Sequence, residues 1–325
     1  MKNSHLKKLT AVCLTCLAFA AIGCGGQTKP AEKKAAFPST LKITYVKSPL
    51  NIPSIIDKNN QTISKAFAKT NTTVSFPDIN SGAKQTEALA AGSLDICSAL
   101  GGTSAILAAS NGVDVKIIGT YSRAPKAFNI MAKDPAIKTA ADLKGKKVAG
   151  PKGTILHQIL IAALDKEGLK ASDTEFLSMG IPESVNAMMT DNVDAALVAG
   201  ADVLRAQKAG AHIVANGENL VDATIVIAVS GKFLNEYPEA VKQYLAAHKE
   251  NIAFMNTNKE KAYEFTAKET GLAAADVATM APWYDFSPAV TDKDLQELEK
   301  TQDFLLKTGL QKNKIDVKKM IVQIK

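Results

Sequence analysis

Arginine is almost missing from this chain of 325 residues: Arg123 and Arg205 are the only two, although lysine and arginine together number 39. Bidentate guanidinium clamps on phosphate or carboxylate are therefore scarce. The net charge of +7 is spread along the chain without a basic block, so nucleic acid is not an expected partner. Cysteine is equally thin. Cys13, Cys16 and Cys24 fall in the first two dozen residues, which leaves Cys97 alone in the body, so neither a disulfide framework nor a cysteine metal site is expected. The four histidines (His5, His157, His212, His248) are scattered. There is no HExxH, GxSxG, P-loop or close-set pair of carboxylates. From these gaps no metal, cofactor or catalytic group is expected, and the chain reads as a protein that binds rather than one that turns over.

Long apolar runs are also lacking. Leu9–Ile22 is about fourteen residues, short of the roughly 20 that a spanning helix needs. With Lys2, Lys7 and Lys8 before it and small residues after it, residues 1–23 read as an export signal. Ala21-Ile22-Gly23-Cys24 resembles a bacterial lipobox with alanine in place of the usual leucine, so Cys24 is the expected lipid anchor; the rival is simple cleavage near Ala20 or Ala21. Residues 24–40 have little to bury and read as a flexible linker with a reach of roughly 20 Å. Loss of the signal removes three lysines and no acid, so +7 becomes +4.

What is present from Leu41 onward is strand, loop and helix in alternation. Strands are expected at 41–46, 72–76, 94–99 and 115–119, then again near 147–149, 174–178, 193–198 and 212–215, with a further one at 223–229. The segment Glu87–Asp95 lies on Asn186–Asp194 at an offset of 99, and Gly101 falls on Gly200 at the same offset. Two copies of one unit predict an α/β fold with two similar lobes, each a mostly parallel sheet flanked by helices, with a ligand cleft between them. The chain is expected to cross between lobes near 120–127 and 221–227. That makes residues 41–122 plus 226–325 the first lobe and 123–225 the second. Pro238–Met255, Lys259–Glu269 and Asp292–Lys307 carry apolar residues at helical spacing and are expected on the outside of a lobe.

Ligands of such sheets sit beyond the carboxyl ends of the strands. Small residues occupy those ends: Ser48, Ser81, Gly102, Thr103 and Ser104 in one half, and Gly153, Thr154, Ala199 and Gly200 in the other. These nine are the candidate ligand-binding residues. Gly153 and Thr154 open the helix that carries Ile155, Ile159, Leu160, Ala163 and Leu164 on one face and ends at Gly168, so they offer an anion a helix N-terminus. His157, one turn in, reads either as a ligand donor or as a packed histidine; Cys97 reads as a buried thiol, and Asp202 as the cap of the helix 203–209. Trp283-Tyr284 reads as lining a cleft or as packing.

Gly92-Ser-Leu-Asp95, the run Lys138–Ala149, Lys152-Gly-Thr-Ile-Leu-His157 and Val193-Asp194-Ala195 together resemble the substrate-binding proteins of ABC importers for aliphatic sulfonates, taurine and nitrate, over residues 41–310. The resemblance implies a bilobal periplasmic-binding-protein fold that closes on a small organic anion. It further implies a monomer, lipid-anchored at the outer face of the cytoplasmic membrane or in the periplasm, that hands its ligand to ABC permease and ATPase subunits. That family commonly has aromatic residues after the strand at 193–198, where this chain has Ala196, Ala199 and Gly200, which implies a wider and less aromatic pocket. Two alternatives stand beside it: the same role for a pyrimidine thiamine precursor or other small carboxylate or aromatic ligand, and an enzyme on the same fold using Cys97 or His157.

Overall fold

A computed structural model describes residues 36–324, so the export signal, Cys24 and most of the linker lie outside the described residues. The chain runs β1 (Thr40–Lys42), α1 (Ile52–Asn60), α2 (Thr62–Phe67), β2 (Thr73–Ser75), α3 (Gly82–Ala90), β3 (Ile96–Gly101), α4 (Gly102–Ser110) and β4 (Val115–Arg123). It continues as β5 (Phe128–Ala132), β6 (Lys147–Gly150), α5 (Ile155–Lys166), β7 (Glu175–Ser178), α6 (Ile181–Met189), β8 (Ala195–Ala199), α7 (Ala201–Lys208) and β9 (His212–Asn216). Then follow β10 (Thr224–Ser230), α8 (Gly231–Glu236), α9 (Pro238–Thr257), α10 (Lys259–Thr270), α11 (Ala274–Met280) and α12 (Asp292–Lys307).

The architecture is α/β, as expected, and its sheets are mixed. One has the order β7-β6-β8-β5-β9, with β6 parallel to β7 and β8 and with β5 antiparallel to both its neighbours. The other is built from β3-β10-β4 and β1-β2. Parallel bridges from Ile43 to Ile96 and from Tyr45 to Asp78 join these two parts through the irregular continuation of β1, giving the order β2-β1-β3-β10-β4. The two orders correspond strand for strand. In each, the fourth strand is the antiparallel one and has crossed from the other half of the chain.

The duplication read from the sequence is therefore structural. Gly82, Ile96 and Gly102 open α3, β3 and α4, and Ile181, Ala195 and Ala201 open α6, β8 and α7 at the same offset of 99. The two motif aspartates do equivalent work. Asp95 accepts the backbone N–H of Lys42 at 2.8 Å, and Asp194 accepts that of Lys147 at 2.8 Å, each tying its loop to the neighbouring strand, at the end of β1 and at the start of β6.

β5 escaped the sequence reading. All five residues of Phe128–Ala132 are buried, so no alternation marks them as a strand. The last helix also differs from expectation. α12 does not lie outside one half: it packs on α4 and also meets α5, with Thr301 donating to Gln158 at 3.2 Å and Lys307 paired with Asp165 at 2.6 Å. Among the described residues no helix is long and apolar enough to cross a membrane, and no group of three or more His, Cys, Asp or Glu stands ready for a metal ion.

Where β4 ends and the chain leaves for β5, Arg123 is held on every side. Its backbone exchanges two hydrogen bonds of 2.8 Å with Asp285. Its guanidinium donates to both carboxylate oxygens of Asp294 at 2.6 and 2.5 Å, to Asp285, and to the carbonyls of Ser287 and Ala289. Asp294, 1% exposed, also completes a capping box with Thr291 at the start of α12. Burial alone would raise the Asp294 carboxyl, but the bonds from Arg123 and Thr291 hold it below the usual carboxylate range. Asp294→Ala should cost about 3 kcal/mol, because it leaves a buried guanidinium uncompensated. Asp285→Ala, whose side chain is half exposed, should cost under about 1 kcal/mol. Urea unfolding of both variants checks the contrast, and equal losses would show that burial of the pair is not what matters.

Candidate functional site

The carboxyl ends of the strands in the two sheets face one another, and helices α3 and α5 start there. α3 is headed by Ser81 and α5 by Thr154, and neither side chain caps its helix. The first-turn N–H groups of both helices are therefore left without a side-chain acceptor, and each helix brings its partial positive end to the same place. A cavity of about 630 Å³ lies there, lined by Ser81, Gly82, Thr86, Ser104 and Asn111 from one half and by Lys152, Gly153 and Thr154 from the other. Leu107, Ala108, Val113 and Leu310 supply an apolar side, and Glu87 also lines it. The lining thus combines hydroxyls, an amide, a lysine and two helix ends with aliphatic surface.

Of the nine candidates, Ser81, Ser104, Gly153 and Thr154 come together here. The other five are placed elsewhere. Gly102 is buried under α12, with no room for a side chain because Leu298 and the carbonyl of Thr224 occupy it. Thr103 is 2% exposed. Ala199 and Gly200 are buried, and a Cβ on Gly200 would lie 2.6 Å from Pro49, which sits in front of it. Gly200 also has φ of +60°, so glycine is demanded there twice over. Ser48 is exposed and turns its carbonyl to Asn51 Nδ2 at 3.1 Å. The closeness of Pro49 to Gly200 is why this rim contributes no open surface.

Gly153 and Thr154 are at the cavity, but their polar groups are already engaged. Gly153 N–H donates to His157 Nδ1 at 3.3 Å, and the Thr154 hydroxyl donates to the carbonyl of Pro151 at 2.9 Å. His157 is thus a packed histidine rather than a direct ligand donor. Its ring stacks on Phe176 with centroids 4.6 Å apart and meets Phe304 edge-on at 5.5 Å. Burial, with a smaller push from Lys152, lowers it to about 4, so it is neutral near pH 7 and able to accept.

The remaining candidates are accounted for. Cys97 is fully buried and its thiol is pushed up to about 12 by that burial, which leaves it protonated and without access to a substrate. Asp202 does not cap its helix; α7 starts at Ala201 behind Gly200, and Asp202 instead pairs with Arg205 at 2.7 Å. Tyr284 stacks on Phe286 at 5.6 Å and Trp283 packs beside it, so this pair is packing. Reading the sequence missed Lys152, Thr86, Asn111, Leu107, Glu87 and Leu310. Lys152 stood next to the chosen loop and Glu87 opened the duplicated segment, so both had a signal. Leu310 arrives from beyond α12 and had none.

Three comparisons bear on this arrangement. Residues 67–262 match the family described as NMT1/THI5 like. Two bacterial relatives carry the description "Putative aliphatic sulfonates-binding protein": one from Escherichia coli (strain K12) is 28% identical over 88% of this chain and 89% of its own. The other, from Bacillus subtilis (strain 168), is 27% identical over 95% and 93%. Among solved structures, the periplasmic aliphatic sulphonate binding protein SsuA of Escherichia coli matches with a TM-score of 0.80 at 26% identity, over 89% of this chain and 94% of that one.

The neutral state of His157 has a pH consequence. Its value in the fold, about 4, lies below the roughly 6.5 of the unfolded chain, so its contribution is whole above pH 6.5 and is lost as pH falls toward 4. His248, buried and also lowered to about 4, acts with the same sign. His157→Phe keeps an aromatic ring between Phe176 and Phe304 but removes one titration. Between about pH 7 and 5 it should lose about 2 kcal/mol less stability than the parent, measured by urea unfolding at both pH values. An unchanged pH loss would mean that His157 is not held neutral.

Proposed function

This chain belongs to the NMT1/THI5-like family, and from that premise we propose that it is the solute-binding component of an ABC importer, capturing a small organic anion of the aliphatic sulfonate class. The observation that carries this reading is the cavity lined both by Lys152 and two uncapped helix N-termini and by the aliphatic Leu107, Val113 and Leu310. A tetrahedral oxyanion with an alkyl tail satisfies both. The relatives' printed names point to the same ligand class.

In this reading residues 41–122 plus 226–325 form one lobe and 123–225 the other, moving about the crossings at 124–127 and 217–223. Closure on the ligand is the signal that the permease and its ATPase subunits read. Cys24 carries the lipid, residues 24–36 form the tether, which ends sooner than expected because Phe37 packs edge-on against Phe67 and Thr40 opens β1, and the protein works as a monomer outside the cytoplasmic membrane. The role is capture and delivery, and no reaction is assigned to it.

Glu87 refines the ligand. A carboxylate on the same cavity as Lys152 favours a zwitterion whose ammonium reaches Glu87, so an aminosulfonate is the second reading within the class. A thiamine-type pyrimidine finds no aromatic stacking partner among the residues that line this cavity.

A thermal-shift screen with butanesulfonate, taurine, nitrate and a pyrimidine thiamine precursor tests the assignment. A true ligand at about 100 times its Kd stabilises by about 2.7 kcal/mol. Lys152→Glu should weaken sulfonate binding by about tenfold or more. Glu87→Gln should weaken taurine and spare butanesulfonate. Sulfonate binding that is indifferent to Lys152→Glu would place the ligand elsewhere, and silence from every sulfonate would overturn the ligand class.

A further inference from the structure

A second cavity, of about 400 Å³, lies between the β1 continuation, α1, α2 and α9. All its lining residues belong to 43–98 or 244–251, so it takes nothing from β5–β9 or α5–α7, and it shares no residue with the cavity at the strand ends. Its floor is Asp57, 5% exposed. One oxygen of Asp57 accepts the backbone N–H of Ile63 at 2.8 Å and Asn251 Nδ2 at 3.1 Å, and no cation pairs with it. Lys58, on the same lining, is already paired with Glu269, with its ammonium 2.7 and 2.8 Å from the two carboxylate oxygens. The cavity therefore holds one buried carboxyl group without a cationic partner.

Three further polar atoms of lining residues are buried without partners, Tyr45 Oη, Asn251 Oδ1 and His248 Nε2, the last two in residues 1% and 3% exposed. The orientation of Asn251 follows from Asp57: its amide N–H must face the carboxylate, which leaves its oxygen to the cavity. His248 is neutral, since burial lowers it to about 4, so it adds no positive charge. Burial raises the carboxyl of Asp57 despite the bonds from Ile63 and Asn251, so a cation placed beside it would favour its ionised form. An orphaned buried acceptor beside an unpaired carboxylate costs stability unless something donates to both. Beside several hydroxyls and the Gln61 amide, the lining includes the apolar or aromatic Ile63, Val74, Phe76 and Tyr244, and no cluster of metal-binding side chains is present among the described residues. Such surroundings suit an organic cation better than an inorganic one.

We propose that this cavity is a separate binding site for a small organic ammonium ion, whose charged head donates to Asp57 and Asn251 and whose apolar part lies against Ile63, Phe76 and Tyr244. The site lies within one half of the molecule, so it fills without closure of the other half and does not depend on what the first cavity takes.

The test uses the whole exported chain with n-butylammonium and phenethylammonium as probes, and n-butanol and 2-phenylethanol as their uncharged counterparts. Calorimetry should show binding of at least one ammonium and not of its alcohol. Asp57→Asn should weaken that binding about tenfold or more. Because Asp57→Asn disturbs a buried hydrogen-bonded pair, Ser64→Phe serves as the second variant: Ser64 is a half-buried lining residue, and a ring there should abolish ammonium binding by filling the space. Binding of a sulfonate at the first cavity should survive both changes. The proposal is overturned if neither ammonium binds at millimolar concentration, if the alcohols bind equally well, if Ser64→Phe leaves binding intact, or if a sulfonate displaces the ammonium competitively.

Discussion

The interaction on which the rest of the architecture turns is the hold of Asp294 on Arg123. Each sheet receives its antiparallel strand from the other half of the chain, so the polypeptide crosses twice, after Arg123 and before Thr224, and the ladder pairs these two residues with each other. Any slack there would let the two sheets drift. Arg123 removes it by using its guanidinium on Asp294, Asp285 and two carbonyls while its backbone pairs with Asp285. Because Asp294 also caps α12, one carboxylate fixes both the crossing and the helix that covers Gly102 and touches α5. A chain with only two arginines spends one of them here.

The strand exchange explains which features the sequence disclosed. The offset of 99 survives because α3-β3-α4 and α6-β8-α7 are contiguous blocks whose lengths are set by the same packing. Asp95 and Asp194 stood out as motif residues, and their work proves to be on the backbone of Lys42 and Lys147. Features that depend on long-range pairing stayed hidden. β5 is a strand only because β8 and β9 flank it, and its buried run reads equally well as helix. Arg123 carries no local sign that its partners lie 162 and 171 positions away.

At the site, local reasoning named the strand ends as a class but could not rank them. Whether a small residue at a strand end is open or covered depends on what a distant segment lays over it. Gly102 is covered by Leu298 and Gly200 by Pro49, whereas Ser81, Ser104, Gly153 and Thr154 are left facing a cavity. Leu310, which closes one side, comes from a segment that carries no motif.

The occupied hydrogen bonds at Gly153 and Thr154 limit what a ligand can be. To use the Gly153 N–H, a ligand must displace a neutral imidazole, itself a good acceptor. A weak acceptor gains nothing by that exchange, whereas an anionic oxygen makes a charge-assisted bond about twice as strong and also meets Lys152. The His157 ring cannot follow the exchange far, since Phe176 and Phe304 hold both its face and its edge. A ligand shifts closure only by as much as it prefers the closed state. An arrangement in which the loop is already satisfied therefore rewards strong oxyanions and leaves weak polar solutes with little to gain.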